Sequence, residues 1–314
     1  PSPFVVVVVV AAAKFLSLMR RVRRVQRLHA RQRRGQLRMI PHHRARAFAR
    51  ARVAQYRRRR RIARVARHSS SRPSAMVMAS QTARQLSDVV ARVASAAAKA
   101  NRAQGAVRLV AVSKTKPVEQ LKECYDAGHR DFGENYVQEM IEKVPRMPED
   151  TRWHFIGHLQ SNKCKALLEA CPRLAMLETV DSAKLANKLN AAVPEGRVDA
   201  LRVLVQVNTS GEASKHGVEP GDCVTLAKHI VSECPRLKFA GLMTIGMPDY
   251  TSKPENFETL RKCREEVCAA LGMSESECEL SMGMSGDFEA AIAMGSTNVR
   301  VGSTIFGARD YSKK

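Results

Sequence analysis

The sequence from about residue 104 onward predicts an α/β fold, a single TIM-type (β/α)8 barrel. Three observations predict it: short apolar runs alternate with amphipathic helical stretches, the runs number eight, and they fit within roughly 210 residues. A doubly wound open sheet is the alternative, but no G-x-G-x-x-G pattern follows the first strand. We therefore expect one barrel domain over residues 78–314 that begins with a lead-in helix at Gln81–Ala103.

The predicted strands are short runs rich in β-branched and aliphatic residues, and helical stretches separate them, as in parallel βαβ units. The strands are Arg108–Lys114, Asp131–Glu134, Trp153–His158, Ala175–Val180, Leu201–Asn208, Lys238–Gly246, Glu279–Met284 and Asn298–Thr304. The helices between them include Val118–Ala127, Asn162–Ala170, Ala183–Val193, Cys223–Cys234, Glu255–Leu271 and Asp287–Met294.

Residues 1–77 form a basic leader with a different composition. Residues 1–80 contain 22 Lys or Arg and no acidic residue, and subtracting 22 from the net charge of +23 leaves +1 for the remainder. We expect the leader to be disordered, because low-complexity Val and Arg runs cannot build a core. It is either an organelle transit peptide or upstream translated sequence with the true start at Met76 or Met78. The second interpretation is favoured, since the runs lack the amphipathic period of an import helix.

The leader also bears on partners and compartment. RNA binding by Arg57–Arg61 is an alternative function, but it would be non-specific phosphate attraction with no aromatic side chain to stack on bases. The apolar run Pro3–Ala13 is 11 residues long, shorter than the roughly 20 residues that span a bilayer. We expect no membrane span and a cytoplasmic protein, or a mitochondrial or plastid one if the leader is a transit peptide.

The cysteine pattern argues against a metal site. The eight cysteines include no C-x-x-C pair, and no histidine cluster has zinc-ligand spacing. We expect reduced thiols that act as small core residues, as in a reducing compartment.

Lys114 is the first candidate site residue, because barrel chemistry lies at the C-terminal ends of the strands. It ends the apolar run Leu109–Ser113 and would point into the barrel mouth. Loss of solvation there lowers a lysine pKa and favours the neutral amine that attacks an aldehyde. From position alone, a surface lysine that closes the strand is equally acceptable, as we interpret Lys116.

The ends of the last two predicted strands indicate an anion site. Ser281–Asp287 and Arg300–Thr304 are rich in glycine and hydroxyl residues, which let backbone N–H groups approach an anion. One such segment would be an ordinary turn, but two after strands seven and eight are typical of a barrel phosphate site. Ser285 is not a hydrolase nucleophile, because Asp287 stands where G-x-S-x-G requires glycine.

Arg300 lies inside the eighth predicted strand, between two valines. A guanidinium inside a barrel needs a polar partner, because an unpaired buried charge is costly. That partner is either a carboxylate such as Glu134 or the ring nitrogen of a pyridine cofactor.

Several motifs in order resemble the YggS/PROSC family of pyridoxal 5′-phosphate (PLP) homeostasis proteins over residues 80–314. They are Ala111–Pro117, Phe132–Glu139, His154–Lys163, Gly241–Ile245, Ser281–Ser285 and Arg300–Ser303. The resemblance implies a single barrel similar to the N-terminal domain of alanine racemase. It also implies that PLP forms a Schiff base with Lys114.

The resemblance assigns roles to further residues. It implies that Ser285, Gly302 and Ser303 hold the phosphate and that Arg300 faces the pyridine nitrogen. It also implies that the cofactor pocket is lined by Asn135 and Met243, and less directly by His158.

The function that the resemblance implies is intracellular PLP (vitamin B6) homeostasis, and it implies no particular catalytic activity, so we expect a non-enzymatic carrier. PLP-dependent apo-enzymes are the expected acceptors, and we expect a monomer or weak dimer without specific nucleic-acid binding. A PLP-dependent amino-acid racemase is the alternative. It would need a base on each face of the substrate α-carbon, and we expect no second domain after the barrel to supply one.

Overall fold

Eight parallel strands close into a barrel in the computed structural model, which describes residues 80–212, 216–246 and 254–308. The strands follow one another in chain order: β1 Arg108–Val112, β2 Asp131–Glu134, β3 Arg152–Phe155, β4 Met176–Val180, β5 Leu201–Gln206, β6 Leu237–Met243, β7 Glu279–Ser281 and β8 Asn298–Val301. Closure comes from β8 beside β1, with Val110 opposite Arg300. The predicted barrel is confirmed, whereas the expectations for the leader lie outside the described residues.

Helices surround the strands. They are α1 Gln81–Lys99, α2 Val118–Asp126, α3 Val137–Lys143, α4 Cys164–Ala170, α5 Ala183–Ala192, α6 Cys223–Glu233, α7 Pro254–Leu271, α8 Phe288–Ala293 and α9 Ser303–Phe306. Short 3₁₀ turns lie at Val144–Arg146, Ser161–Lys163, Pro220–Asp222 and Glu275–Glu277. The sequence patterns predicted neither α3 nor α9. Within the described ranges, none of the helices combines the length and the apolar character that a membrane span requires.

Most strands end a few residues earlier than predicted, because their polar C-terminal residues belong to loops. In β1, Ser113 still donates its N–H to the Gly133 carbonyl at 2.9 Å, but Thr115 then turns the chain with a φ of 61°. In β8, the chain leaves the strand at Gly302 and starts α9, so Ser303 is helical rather than extended. The loops after β1, β2, β7 and β8 therefore contain Lys114, Asn135, Ser285 and Gly302.

Side-chain alternation divides each strand between two environments. Leu109 and Ala111 pack in the large core between strands and helices. Val110 is also buried but faces the barrel interior. Val112 and Lys114 lie on the same face as Val110, nearer the barrel mouth, and line the cavity there. A small apolar cluster fills part of the barrel interior and consists of Met176, Leu204, Ala240 and Met243.

The rest of the interior is polar and centres on Glu178, which is fully buried. One carboxylate oxygen lies 2.7 Å from Nδ1 of His154 and accepts from Asn298 Nδ2 at 2.9 Å, and the other accepts from Ser281 Oγ at 2.5 Å. Burial alone would raise the pKa of Glu178, but the hydrogen bond and charge of His154 lower it to about 2. Similarly, hydrogen bonds to Asp131 and Glu178 raise the pKa of His154 against the effect of burial.

All eight cysteines are free and buried, which agrees with their predicted place in the core. Burial raises the pKa of the Cys124 and Cys171 thiols to about 12 and that of Cys164 to about 11. These thiols are therefore protonated and unreactive at neutral pH.

Replacing Glu178 by Gln is expected to lower the free energy of unfolding at pH 7 by about 3–5 kcal/mol, because it removes one partner from a buried ionic cluster. The folded-state pKa of Glu178 is depressed, so its stabilisation is present above the ordinary value of 4.5 and disappears as pH falls toward about 2. The difference between wild type and E178Q should therefore shrink across that window, as measured by denaturant unfolding at several pH values.

The matched control is Glu149→Gln, because Glu149 is 3.2 Å from Arg173 in an exposed ion pair. Its removal should change stability by at most about 1 kcal/mol at any pH. An E178Q protein as stable as E149Q would contradict the role given to the buried carboxylate.

Candidate functional site

A cavity of about 420 Å³ opens at the C-terminal end of the barrel. It is lined by Val112, Lys114, Lys116, Asn135, Ile156, Ile245, Met284, Ser285, Arg300, Gly302, Ser303, Gly307 and Ala308. The structure therefore brings together most of the predicted site residues, from β1, β2, β7 and β8. The cavity is the place where those residues can act on one ligand.

Two of the residues that sequence analysis associated with the pocket lie elsewhere. Met243 is fully buried in the interior cluster and is not among the cavity-lining residues. His158 is exposed two residues after Ile156, with its ring stacked on that of His216. Neither lines the cavity in this structure.

The backbone on both sides of Lys114 is fixed by a buried ion cluster on the outer side of the barrel. Lys143 Nζ donates to the Ser113 carbonyl at 2.7 Å and to Glu134 Oε1 at 2.7 Å. Glu139 Oε2 accepts from Lys143 and also from the N–H of Thr115 at 2.8 Å. The left-handed φ of Thr115 is unusual for a β-branched residue, and this cluster stabilises it. The backbone of Lys114 is thus held in place by this turn, while its half-buried side chain lines the cavity.

Glu134 belongs to this cluster and not to Arg300. Its carboxylate is fully buried, and Ser113 Oγ donates to it at 2.6 Å beside the Lys143 ammonium. Burial raises the pKa of Glu134 to about 7, although Lys143 acts in the opposite direction. Glu134 is therefore not the polar partner of Arg300, although the sequence analysis named it as a candidate.

Arg300 is buried, and its guanidinium reaches the cavity from β8. It donates from Nη1 to Ser281 Oγ at 2.5 Å and from Nη2 to the Thr244 carbonyl at 2.6 Å. Burial lowers the pKa of Arg300, and the nearby charge of Glu178 opposes that shift. Both acceptors are neutral, and arginine stays protonated in proteins. The cavity therefore contains a fixed cation with a defined orientation.

The two glycine- and hydroxyl-rich loops meet at the cavity wall. The N–H of Gly302 donates to Ser285 Oγ at 3.2 Å, which joins the loop after β7 to the loop after β8. A Cβ on Gly302 would lie 3.2 Å from the Val112 carbonyl oxygen, so the close approach to β1 favours glycine. Ser303 follows with an exposed hydroxyl. Backbone N–H groups and two hydroxyls on one wall suit an anionic oxygen ligand.

Asn135 supplies an acceptor that a ligand could satisfy. Its Oδ1 is buried and has no hydrogen-bond partner among the described residues, although Asn135 lines the cavity. A buried polar atom without a partner is destabilising, so such atoms are rare in folded proteins. Gly157 packs against the Asn135 backbone so closely that a Cβ there would lie 2.1 Å from the Asn135 carbonyl oxygen. This contact holds Asn135 in place.

The structure adds cavity residues that sequence analysis missed. Lys116, interpreted as a surface lysine, lines the cavity, and its Nζ donates to the Ala308 carbonyl at 2.7 Å. Ile156, Ile245 and Gly307 complete the walls. Ile156 could have been found from its position in the third predicted strand. It comes two residues after His154 and therefore lies on the same face of that strand.

Comparison with known proteins shows the family of the chain. The model of the alanine racemase N-terminal domain family matches residues 85–310. A protein named pyridoxal phosphate homeostasis protein from Bos taurus is 55% identical over 217 residues, which are 66% of this chain and 79% of that protein.

Two solved structures share the fold. PipY from Synechococcus elongatus, solved with PLP bound, is 31% identical to this chain and superimposes with a TM-score of 0.56. The match covers 70% of this chain and 100% of the PipY chain. Alanine racemase from Corynebacterium glutamicum has a TM-score of 0.52 at 15% identity, over 73% of this chain and 63% of that one, and shows likeness of fold alone. The chain, which carries an alanine racemase N-terminal domain over residues 85–310, belongs to the pyridoxal phosphate homeostasis protein family.

Proposed function

We propose that this chain binds PLP in the cavity at the barrel mouth and acts in PLP homeostasis. The observation that carries the proposal is the convergence of a lysine amine, a buried guanidinium and two hydroxyl-bearing glycine loops on one cavity. An aldehyde, a pyridine nitrogen and a phosphate are three functional groups of PLP, and each has a matching group in the cavity. The names of the relatives and the PLP in the PipY structure support it.

Lys114 is the residue that we propose to hold the cofactor covalently. PLP supplies an aldehyde, and condensation with the Lys114 amine would form a C=N bond with release of water. The turn at Thr115 and the Lys143 cluster fix the backbone, so that only the Lys114 side chain needs to move. Ser285, Gly302 and Ser303 would hold the phosphate, and Arg300 would donate to the ring nitrogen.

Borohydride reduction of the PLP-loaded protein, followed by peptide mapping, should place a pyridoxyl group on Lys114. Lys114→Ala should abolish both this adduct and the yellow absorbance of the bound cofactor, because no other amine has the same position in the cavity. Circular dichroism should remain that of the folded barrel.

The matched control is Lys116→Ala, which removes the second cavity lysine and should leave the adduct on Lys114. An adduct on Lys116 or Lys163 in the wild-type protein would assign the covalent role to another residue.

Pyridoxal without its phosphate is expected to bind far more weakly than PLP. Each charge-assisted hydrogen bond contributes ~1.5–3 kcal/mol, so the loss of two or three lowers affinity by orders of magnitude. Ser285→Ala should reduce the difference between the two vitamers, because its hydroxyl belongs to the proposed phosphate site. Titration by absorbance or calorimetry measures both affinities.

Ser232→Ala serves as the control, since Ser232 is an exposed helix residue bonded to the Lys228 carbonyl. Equal affinity for pyridoxal and PLP in the wild-type protein would show that these loops do not hold the phosphate.

We propose a carrier role rather than amino-acid racemisation. A racemase needs a base on each face of the α-carbon, and Lys116 is the only described cavity residue besides Lys114 that ordinarily exchanges a proton. Lys116 is already bonded to the Ala308 carbonyl. Arg300 would donate a hydrogen bond to the pyridine nitrogen and leave it unprotonated, which makes the ring a weaker electron sink.

Exchange of the α-proton of alanine in deuterated water should therefore be slow or undetectable with the PLP-loaded protein, as followed by proton NMR. A bacterial alanine racemase is the positive control. Turnover of ~1 s⁻¹ or faster, within the ordinary enzyme range, would refute the carrier role and favour the racemase.

The proposed partners follow from the carrier role. PLP-dependent apo-enzymes would accept the cofactor, because the cavity opens to solvent at the barrel mouth. We further propose a cytoplasmic location and a monomer or weak dimer. The near-neutral charge of residues 81–314 supports the absence of a specific nucleic-acid partner in the barrel.

A further inference from the structure

A second cluster of polar side chains lies at the same end of the barrel, on the loops after β3, β4 and β5. It consists of His158, Asp181 and His216, which offer one ligand atom each, all within 4.8 Å of one another. The two imidazole rings are stacked, with centroids 3.5 Å apart and an interplanar angle of 8°. His158 Nδ1 lies 3.5 Å from Asp181 Oδ2.

We propose that these three side chains, here named the rim triad, bind a divalent metal ion of the zinc class. The 3.5 Å separation is longer than a good hydrogen bond. It matches the roughly 3.3–3.5 Å between neighbouring ligand atoms around a tetrahedral zinc ion with bonds of about 2.0–2.1 Å. Two imidazoles and one carboxylate form a donor set that favours zinc, nickel or copper over magnesium or calcium.

One contact of the rim triad is of the kind that orients a ligating carboxylate in metal sites. Ser182 Oγ donates to Asp181 Oδ1 at 3.2 Å, which leaves Oδ2 on the side of His158. Thr179 Oγ1 donates to the Gly157 carbonyl at 2.7 Å and fixes the backbone just before His158.

Backbone and side-chain hydrogen bonds hold the segment around His216 against the end of β5. Gln206 Nε2, at the end of β5, donates to the His216 carbonyl at 2.9 Å. Two residues later, the N–H of Val218 donates to the Gln206 carbonyl, also at 2.9 Å. The backbones of the ligands are therefore fixed, and both imidazole rings are exposed and can rotate so that their lone pairs converge on an ion.

The position of the rim triad indicates how it relates to the cofactor cavity. Ile156 lines the cavity, and His158 comes two residues later on the same loop. Three protein ligands leave a fourth tetrahedral position for water or an exchangeable ligand. The ion would thus sit at the cavity rim, and the inference does not depend on PLP being bound.

Calorimetric titration of the chelator-treated full chain with zinc chloride tests the proposal. We expect one tight site that is weakened by at least about 100-fold in the H158Q/H216Q double variant and in Asp181→Asn, since loss of a ligand costs no less than loss of a supporting contact. His229→Gln is the matched control and should leave the site unchanged, because this exposed histidine bonds Asn187 instead. Circular dichroism melting checks that each variant remains folded.

Other zinc ligands of the chain are distinguished in the same experiment. The leader contains the adjacent pair His42 and His43, and H42Q/H43Q should retain the tight site. Cobalt(II) bound at the rim triad should give visible tetrahedral bands without a thiolate charge-transfer band. Undiminished affinity in H158Q/H216Q, a thiolate band, or the absence of zinc binding by the wild-type protein would each overturn the proposal.

Discussion

One buried carboxylate, that of Glu178, determines how the interior of the barrel is built. It bonds His154 from β3, Ser281 from β7 and Asn298 from β8, so three strands depend on its charge. A carboxylate in this position is tolerated only because these partners satisfy it, since an unpaired buried charge is strongly destabilising. Ser281 also accepts from Arg300, so the cluster reaches the cavity floor. The orientation of the cavity cation therefore depends on a charge that is not among the residues lining the cavity.

The alternation of side chains along strands explains why much of the site could be predicted. In β1, Leu109 and Ala111 face the helices, so Lys114 has the parity of the barrel interior. The same argument applies to Arg300 in β8. Met243 was assigned by the resemblance and not by this alternation: the register between β5 and β6 shifts, with Val203 opposite Phe239 and Leu204 opposite Gly241, and Met243 lies in the interior cluster. This bulge adds a residue to β6 and changes the parity beyond it.

The remaining features depend on contacts between distant parts of the chain, which a local pattern does not contain. Lys116 lines the cavity because it reaches Ala308, 192 residues later. Lys143 supports the Lys114 turn from α3, a helix that the sequence patterns did not predict. The rim triad comes from three loops, so a search for ligands at short spacing could not find it. Sequence periodicity located the strands and placed their C-terminal ends within three residues of the observed ones, whereas tertiary packing decided which loop residues meet there.

The burial of the cysteines has a consequence for a protein that carries an aldehyde. Thiolates add readily to aldehydes. If the eight thiols were accessible, they would react with the aldehyde of PLP and compete with the lysine amine for it. Here every cysteine lies inside the protein, and burial raises the pKa of the Cys124, Cys164 and Cys171 thiols, which keeps these three protonated. The strands of the barrel therefore separate the buried thiols from the cavity. No cysteine is among the described cavity residues, where the amines of Lys114 and Lys116 are the groups that can condense with a carbonyl compound.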